Sequence, residues 1–179
     1  ICETYYREEI KLKIPKNLHG STVERLTREA KVQAKLRHPN IVTVIDLLDI
    51  EGMPCLVMEY FNALTMGEWL EKQKPTLQEV DSIFLQVLDA VTEAHSLNVI
   101  HRDLKPSNIL IEDRSDRIYV KVCDFGVAKA LEATEVSFTR TGITLGTPAY
   151  MAPEQVRNAK NVDQRADIFS LGTLLYELV

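Results

Sequence analysis

The segment His101-Arg-Asp-Leu-Lys-Pro-Ser-Asn108 brings three side chains of different chemistry together within a short stretch. Asp103 supplies a carboxylate, Lys105 an amine and Asn108 an amide. The segment lies between the end of one predicted strand and the start of another. A carboxylate that can accept a proton, beside a fixed positive charge, makes this segment the candidate reaction centre.

A second acidic segment, Asp124-Phe-Gly126, follows the next predicted strand. Gly126 permits a sharp turn where a side chain would obstruct the chain. The side-chain oxygens of Asp124 and Asn108 suit a hard cation such as Mg²⁺, which binds one or two protein carboxylates together with substrate phosphates. A metal ion, a neutralising charge and an oriented hydroxyl group are what phosphoryl transfer requires.

The motifs His101-Arg-Asp-x-Lys-x-x-Asn108, Asp124-Phe-Gly126 and Ala152-Pro-Glu154, in this order, resemble the signature of the eukaryotic-type protein kinases. With Lys105 in place, the first motif is similar to that of serine/threonine kinases, a kind also common in bacteria. The implied activity is transfer of the γ-phosphate of ATP, with Mg²⁺, to Ser or Thr hydroxyls of protein substrates.

The resemblance also implies a fold and its division. The fold class is α+β, a two-lobed protein-kinase-like fold truncated at both ends. Residues 1–60 would form part of a small β-rich lobe, with strand 3, helix C, strands 4 and 5 and the start of the hinge. Residues 61–179 would form part of a larger helical lobe, with helices D to F, the catalytic loop and the activation loop.

The resemblance implies a role for each polar side chain of the motifs. Asp103 is similar to the catalytic base that accepts the proton of the substrate hydroxyl, and Lys105 to the residue that neutralises the transferring phosphate. Asn108 and Asp124 correspond to the Mg²⁺ ligands. Thr147 resembles the loop threonine that contacts the base and the lysine in serine/threonine kinases.

A strand lysine and a helix-C glutamate pair in this family and hold the α- and β-phosphates. Glu29 lies nine residues before His38-Pro39, as the helix-C glutamate does. Lys13 fits the Val-Ala-Ile-Lys pattern best, and Lys11 is the alternative. The family prefers Ala where Lys11 stands, so the choice between the two lysines stays open at this point.

The segment Cys55-Leu-Val-Met-Glu-Tyr-Phe61 resembles the strand that enters the hinge between the lobes. Met58 corresponds to the gatekeeper, and the backbone C=O of Glu59 and N–H of Phe61 would bond the adenine edge. Leu110 would lie under the adenine ring. Met58 and Phe61 are explained equally well as core residues.

The last stretch, Ala166–Val179, is apolar nearly all round, which predicts a helix buried in the centre of a domain. Asp167 within it resembles the helix-F aspartate that braces the backbone of His101 and Arg102. An aspartate in so apolar a helix needs hydrogen-bond partners, which makes such a brace physically reasonable.

Hydrophobic periodicity and capping residues predict the remaining elements. In the first part of the chain they predict a strand from Ile10 to Ile14 that ends at Pro15, a helix from the capping box at Ser21 to about Arg37, and a hairpin of Ile41–Ile50 and Cys55–Tyr60. Capping boxes follow at Thr65 and Thr76, and the second opens a long helix with one apolar stripe of Val80, Ile83, Phe84, Val87, Leu88, Val91 and Ala94. Short strands at Asn108–Ile111 and Ile118–Cys123 and a long loop over 129–146 complete the set.

The composition is that of an ordinary globular protein, with 45% hydrophobic and 26% charged residues and a net charge of −5 over 179 residues. No stretch approaches the ~18 consecutive apolar residues of a membrane span. A basic beginning followed by an acidic remainder disfavours nucleic-acid binding. Three separated cysteines favour a reducing compartment, so we expect a cytoplasmic segment, although the full-length protein could be anchored to a membrane elsewhere.

Two parts of the family pattern are absent. No glycine-rich loop precedes Lys13, and the sequence stops at Val179, before the helices that normally complete the large lobe. We therefore expect an interior segment of a kinase domain that is inactive alone. The alternatives are a kinase-like scaffold with weak catalysis and a small-molecule phosphotransferase. Ala152-Pro-Glu154 disfavours the latter because it shapes a peptide site.

Thr139, Thr141 and Thr144 resemble the loop threonines of bacterial kinases. A phosphate there adds about −2 charge and acceptor oxygens, enough to order a loop against the cations Arg102 and Lys129. We expect autophosphorylation at Thr141 first, then Thr139, then Thr144. The alternative is a solvated loop whose threonines have no such role.

Overall fold

Two antiparallel sheets organise the parts of the chain that a computed structural model describes, which are residues 2–7, 10–15, 27, 30, 33–50, 53–114, 116–125, 148–157 and 162–179. The strands are β1 (Cys2–Arg7), β2 (Ile10–Pro15), β3 (Val44–Ile50), β4 (Met53–Glu59), β5 (Leu64–Thr65), β6 (Ile109–Arg114) and β7 (Arg117–Val122). The helices are α1 (Met66–Lys72), α2 (Leu77–Ser96), α3 (Pro153–Arg157) and α4 (Arg165–Leu178).

The first sheet has the strand order β1-β2-β4-β3, and every neighbouring pair is antiparallel. The predicted strand ending at Pro15 is confirmed, as is the hairpin, now β3 and β4. The hairpin begins at Val44 and not at Ile41. The reason is that Ile41 bridges to Val122 and the N–H of Val42 donates to the Val122 carbonyl at 2.9 Å, so this segment joins the second sheet.

The helix predicted from Ser21 to Arg37 falls largely outside the described residues. Thr27, Ala30 and Gln33 are helical, and the N–H of Ala34 donates to the Ala30 carbonyl at 2.8 Å. The prediction is therefore confirmed at these positions, but its end at about Arg37 is wrong, because the chain turns after Gln33, where the N–H of Leu36 donates to the Gln33 carbonyl at 2.9 Å.

Helices α1 and α2 both begin with the predicted capping boxes. Thr65 and Thr76 each accept a hydrogen bond from the N–H of the glutamate three residues on, and the carboxylate of that glutamate accepts the N–H of the threonine. The apolar stripe of α2 is confirmed, with its buried members at Val80, Ile83, Val87, Ala90, Val91 and Ala94. No helix in the described part of the chain is long and apolar enough to cross a membrane.

The second sheet, β5-β6-β7, forms the main core together with α2 and α4. Ile83, Ile109 and Val122 are fully buried there. Apolar residues from the first sheet and from the segments beside it form a second cluster: Ala30, Val42, Val44, Leu56, Met58 and Cys123. Cys123 follows β7 directly, so the second cluster reaches the end of the second sheet.

The predicted C-terminal helix is confirmed as α4, but its predicted burial on all sides is wrong for the described residues. Leu171 and Leu174 are buried, whereas Ile168 is 58% exposed and Tyr176 is 86% exposed. Within the described residues, α2 and the turn Pro148–Tyr150 pack against only one face of α4.

Candidate active site

The loop from His101 to Asn108 connects the region after α2 to β6 and ends in a 3₁₀ turn, Pro106–Asn108. Pro106 occupies the first position of this turn, where a missing N–H does no harm. The N–H of Asn108 donates to the Lys105 carbonyl at 2.9 Å. The loop therefore turns back on itself and brings its polar residues together.

His101 is fully buried and joins the loop to the segment around Asp124. Its Nε2 donates to the Cys123 carbonyl at 2.9 Å, and its Nδ1 accepts the N–H of Asp103 at 3.2 Å. The ring also packs 4.6 Å from that of Phe125, between centroids. Burial lowers the pKa of His101, so the ring is neutral, as an accepting Nδ1 requires.

Asp167 on α4 is fully buried and braces the loop from below. Oδ2 accepts the N–H of His101 and Oδ1 that of Arg102, both at 2.8 Å. His95 Nε2 also lies 2.7 Å from Oδ2. The brace expected from the resemblance is confirmed, and His95 is a partner that the sequence did not suggest.

Three of the predicted catalytic side chains lie in direct contact. Lys105 Nζ is 2.7 Å from Asp103 Oδ2. Asn108 Nδ2 donates to the same oxygen at 3.1 Å and to the Asp103 carbonyl at 2.7 Å. The Asp103 carboxylate is thus oriented by the Asn108 amide, lies beside the Lys105 cation and is partly exposed.

The predicted metal ligands are Asn108 and Asp124, and the backbone brings them near each other. The N–H of Cys123 donates to the Asn108 carbonyl at 2.9 Å, which fixes the residue before Asp124. Asp124 itself has a left-handed backbone, with φ of 67°. Asn108 uses only Nδ2 in its bonds to Asp103, so those bonds leave its oxygen Oδ1 available.

This donor set fits Mg²⁺, which takes one or two protein ligands and completes its shell with water and phosphate oxygens. Among the described residues, no group of three or more His, Cys, Asp or Glu side chains could hold a metal ion. A cation at Asn108 and Asp124 would take further ligands from substrate phosphates and water, as Mg²⁺ commonly does.

Met58 and Leu110 lie at the second cluster, Met58 within it and Leu110 packed against it. Glu59 follows Met58, and its Oε1 accepts the N–H of Thr43 at 2.7 Å and Lys121 Nζ at 2.8 Å. The same Nζ lies 5.7 Å from the centre of the Phe61 ring. The side chains of this segment thus have structural partners, which leaves the predicted adenine contacts to the backbone.

The structure describes the remaining predicted residues only in part. Lys13 lies opposite Leu56 in the sheet and Lys11 opposite Met58, so both occupy register positions beside the second cluster. Glu29 and Thr147 lie outside the described residues, as do Gly126, Lys129, Thr139, Thr141 and Thr144. The structure therefore neither joins the lysine to Glu29 nor chooses between the two lysines.

Arg102 has an unusual backbone and a partly unpaired side chain. Its φ is 69°, a left-handed value that is unfavourable for a residue with a side chain. Nη2 donates to the Val162 carbonyl at 3.3 Å, whereas Nη1 is buried without a hydrogen-bond partner among the described residues. Gln155 Nε2 donates to the Arg102 carbonyl at 2.7 Å, a contact that sequence reasoning missed.

Comparison with known proteins gives concordant matches. A model of the protein kinase domain matches residues 6–179. The chain is 42% identical over 163 residues to the serine/threonine-protein kinase pkn3 of Myxococcus xanthus, covering 88% of this chain and 30% of that protein. It is 37% identical over 158 residues to the serine/threonine-protein kinase PrkC of Bacillus subtilis, covering 88% and 24%. The chain thus spans less than a third of these two relatives.

Solved structures of kinases resemble this chain in fold. The crystal structure of Rad53 1-466 in complex with AMP-PNP superposes with a TM-score of 0.74 at 30% identity, covering 95% of this chain and 40% of that one. The kinase domain of Mycobacterium tuberculosis PknI gives a TM-score of 0.73 at 24% identity, covering 94% and 62%, which shows likeness of fold.

Proposed function

The chain belongs to the protein kinase family, and we propose that the domain it forms transfers the γ-phosphate of ATP to Ser and Thr side chains of protein substrates. The contact of Asp103 with Lys105 and Asn108 carries this proposal. A carboxylate, a cation and an amide fixed within hydrogen-bond distance are three of the parts that kinases use for phosphoryl transfer. The curated relatives named above are bacterial serine/threonine kinases, which supports the choice of substrate hydroxyl.

In this proposal Asp103 accepts the proton of the attacking hydroxyl. Lys105, now paired with Asp103, also offsets negative charge on the transferring phosphate, and Thr147 orients the pair. The 2.7 Å distance between Asp103 Oδ2 and Lys105 Nζ supports these roles, because it keeps a proton-accepting carboxylate and a cation side by side.

Mg²⁺ is the proposed metal, held by Asn108 and Asp124. When bound, it would neutralise charge on the phosphates. The chain's own contribution is to fix Asn108 through Asp103 and to fix Asp124 through the backbone bond between Cys123 and Asn108.

ATP is the proposed nucleotide, with the adenine edge bonded by the backbone of Glu59 and Phe61, Met58 as the gatekeeper and Leu110 under the ring. The AMP-PNP complex of Rad53 supports this choice, because that chain shares the fold over most of this one. Lys13 paired with Glu29 is our proposal for the phosphate contact.

The named strands β1 to β4 precede residue 60 and β5 to β7 follow it, which supports the proposed division into 1–60 and 61–179, with the bridge from Ile41 to Val122 joining the two parts.

We also propose regulation by phosphorylation of Thr141, then Thr139, then Thr144. The Nη1 atom of Arg102 supports this proposal, because this buried atom has no hydrogen-bond partner among the described residues and a phosphate oxygen would supply an acceptor.

The test is phosphate transfer by the full-length protein to Ser- and Thr-containing peptides, followed by mass spectrometry. We expect Asp103→Asn to lower kcat roughly 10²–10⁴-fold, the usual contribution of general base catalysis, with little change in ATP affinity. The matched control is Asp116→Asn, at an exposed aspartate in the turn between β6 and β7. Full activity of Asp103→Asn would exclude Asp103 from the mechanism.

The same reactions report on the loop threonines. We expect phosphate on Thr141 and Thr139 in the parent protein and not in Asp103→Asn. An active parent with an unmodified loop, and a Thr139→Ala/Thr141→Ala variant of equal activity, would contradict the regulatory proposal.

A further inference from the structure

Gln155 connects two segments that both border the candidate reaction centre. It lies on α3, directly after Ala152-Pro-Glu154, and is half-buried. Its Oε1 accepts the N–H of Ala152 at 3.1 Å, while its Nε2 donates to the Arg102 carbonyl at 2.7 Å. One amide group therefore joins the end of the predicted peptide-binding segment to the catalytic loop.

The peptide group that Gln155 holds is the one between Arg102 and Asp103. Its carbonyl accepts from Gln155, and its N–H donates to His101 Nδ1 at 3.2 Å. Both polar atoms of this peptide are thus fixed by side chains. The Asp103 side chain is attached to the Cα at the end of this peptide. The orientation of the peptide therefore sets the direction of the Asp103 carboxylate.

This peptide needs such support because Arg102 is strained. A φ of 69° at a residue with a side chain carries an energy penalty and persists only where the surroundings enforce it. Asp167 holds the N–H of Arg102 at 2.8 Å, and Gln155 holds its carbonyl at 2.7 Å. The two contacts act on opposite ends of the same residue.

The bond to Ala152 has a simpler explanation, which is helix capping. Ala152 precedes α3 and Gln155 is the third helical residue, so Oε1 occupies the place of the capping-box acceptor. A glutamate would serve this cap at least as well, because a carboxylate also suits a helix N-terminus. Only an amide supplies the acceptor for Ala152 and the donor for Arg102 together.

We propose that Gln155 is a positioning residue for the phosphoryl transfer, which aligns Asp103 by holding the Arg102–Asp103 peptide through Nε2. The inference rests on the proposed function, because it takes Asp103 as the catalytic base. It predicts that the donor at Gln155 affects catalysis and that the acceptor affects stability, and the two can be separated by substitution.

Three variants of the full-length protein separate these roles. Gln155→Glu keeps the cap and loses the donor, so we expect kcat to fall about tenfold with an unchanged KM for ATP and a melting temperature above that of Gln155→Met. Gln155→Lys keeps a donor and loses the cap, so we expect near-parental kcat and a lower melting temperature. Gln155→Met loses both and should show both effects.

Gln164 offers a matched control, because its Nε2 also donates to a backbone carbonyl, that of His95, at 3.1 Å. We expect Gln164→Glu to leave kcat within twofold of the parent. Parental kcat in Gln155→Glu would overturn the proposal, as would an equal fall in kcat for Gln164→Glu or a rise in the KM for ATP.

A measurement without turnover distinguishes failure of this inference from failure of the proposed function. Hydrogen exchange of the Asp103 amide should quicken about tenfold in Gln155→Glu and stay parental in Gln155→Lys and Gln164→Glu. If the parent transfers no phosphate, the proposed function fails. The exchange result still shows whether Gln155 holds the Arg102–Asp103 peptide. Unchanged exchange in Gln155→Glu overturns the positioning role whatever the activity.

Discussion

The loop from His101 to Asn108 and the predicted hinge segment from Glu59 to Phe61 are held in place by different kinds of contact. In the loop, side chains from distant helices hold the backbone, with Asp167 bonding two N–H groups at 2.8 Å and Gln155 a carbonyl at 2.7 Å. At the hinge, Glu59 N–H donates to the Thr43 carbonyl at 3.0 Å, and β4 pairs with the strands on both sides.

The difference shows where a single substitution can disturb function. A loop whose backbone is held by buried side chains loses its geometry when one of them changes, because a buried polar group without a partner raises the free energy of the folded state. A hinge built on strand pairing keeps its backbone when a side chain changes. We therefore expect large effects of side-chain substitution at the loop and small ones at the hinge.

The largest loss of folding stability should follow from Asp167→Asn. An asparagine of the same size presents only one acceptor oxygen to two buried backbone donors, those of His101 and Arg102. We expect the free energy of unfolding to fall by about 3 kcal/mol, as for other broken buried polar contacts, and kcat to fall with it. Urea denaturation of the full-length protein measures the first quantity.

The control for this substitution is Asp163→Asn. Asp163 is exposed, and within the described residues its side chain bonds only Arg165. We expect no measurable change in the denaturation midpoint. Equal midpoints for the two variants would show that the brace contributes nothing to stability.

Features that depend on local sequence could be predicted. The capping boxes at Thr65 and Thr76 and the apolar stripe of α2 follow from spacing alone, because neighbours on a helix are three and four residues apart. The contact of Asp103, Lys105 and Asn108 follows from a loop that turns within eight residues. Asp167 was found only through the resemblance to a known family.

Features that depend on tertiary pairing could not be predicted. Gln155 lies 53 residues from Arg102, and no periodicity links the two. His95 sits in the last turn of α2, where a basic residue is explained by the helix dipole before any contact with Asp167 is considered. The misjudged burial of α4 has a related cause, since composition reports apolarity and not which neighbours cover it.

An intermediate effect should follow from Asp124→Asn. Asparagine tolerates the left-handed backbone at this position, so the substitution removes charge with little strain. We expect the affinity for ATP in the presence of Mg²⁺ to fall at least about tenfold, since removing even the residues behind metal ligands has that effect. Affinity in the presence of a chelator should be unchanged, which titration calorimetry can measure.

Asp116→Asn, at the exposed turn, should leave both affinities as in the parent. If Asp124→Asn binds ATP with Mg²⁺ as tightly as the parent does, the proposed metal ligand is wrong.

The smallest effect should follow from Lys121→Met, which removes the ion pair with Glu59 at the hinge. Both side chains are partly exposed, at 17% and 30%, and Glu59 keeps its bond from the Thr43 N–H at 2.7 Å. We expect a loss of about 0.5 kcal/mol in the free energy of unfolding, typical of such pairs, and a change in ATP affinity below about twofold. Lys74→Met, at an exposed position after α1, is the matched control. A fall in ATP affinity of tenfold for Lys121→Met alone would show that hinge side chains set the nucleotide site, because the strand pairing that holds the backbone is untouched by this substitution.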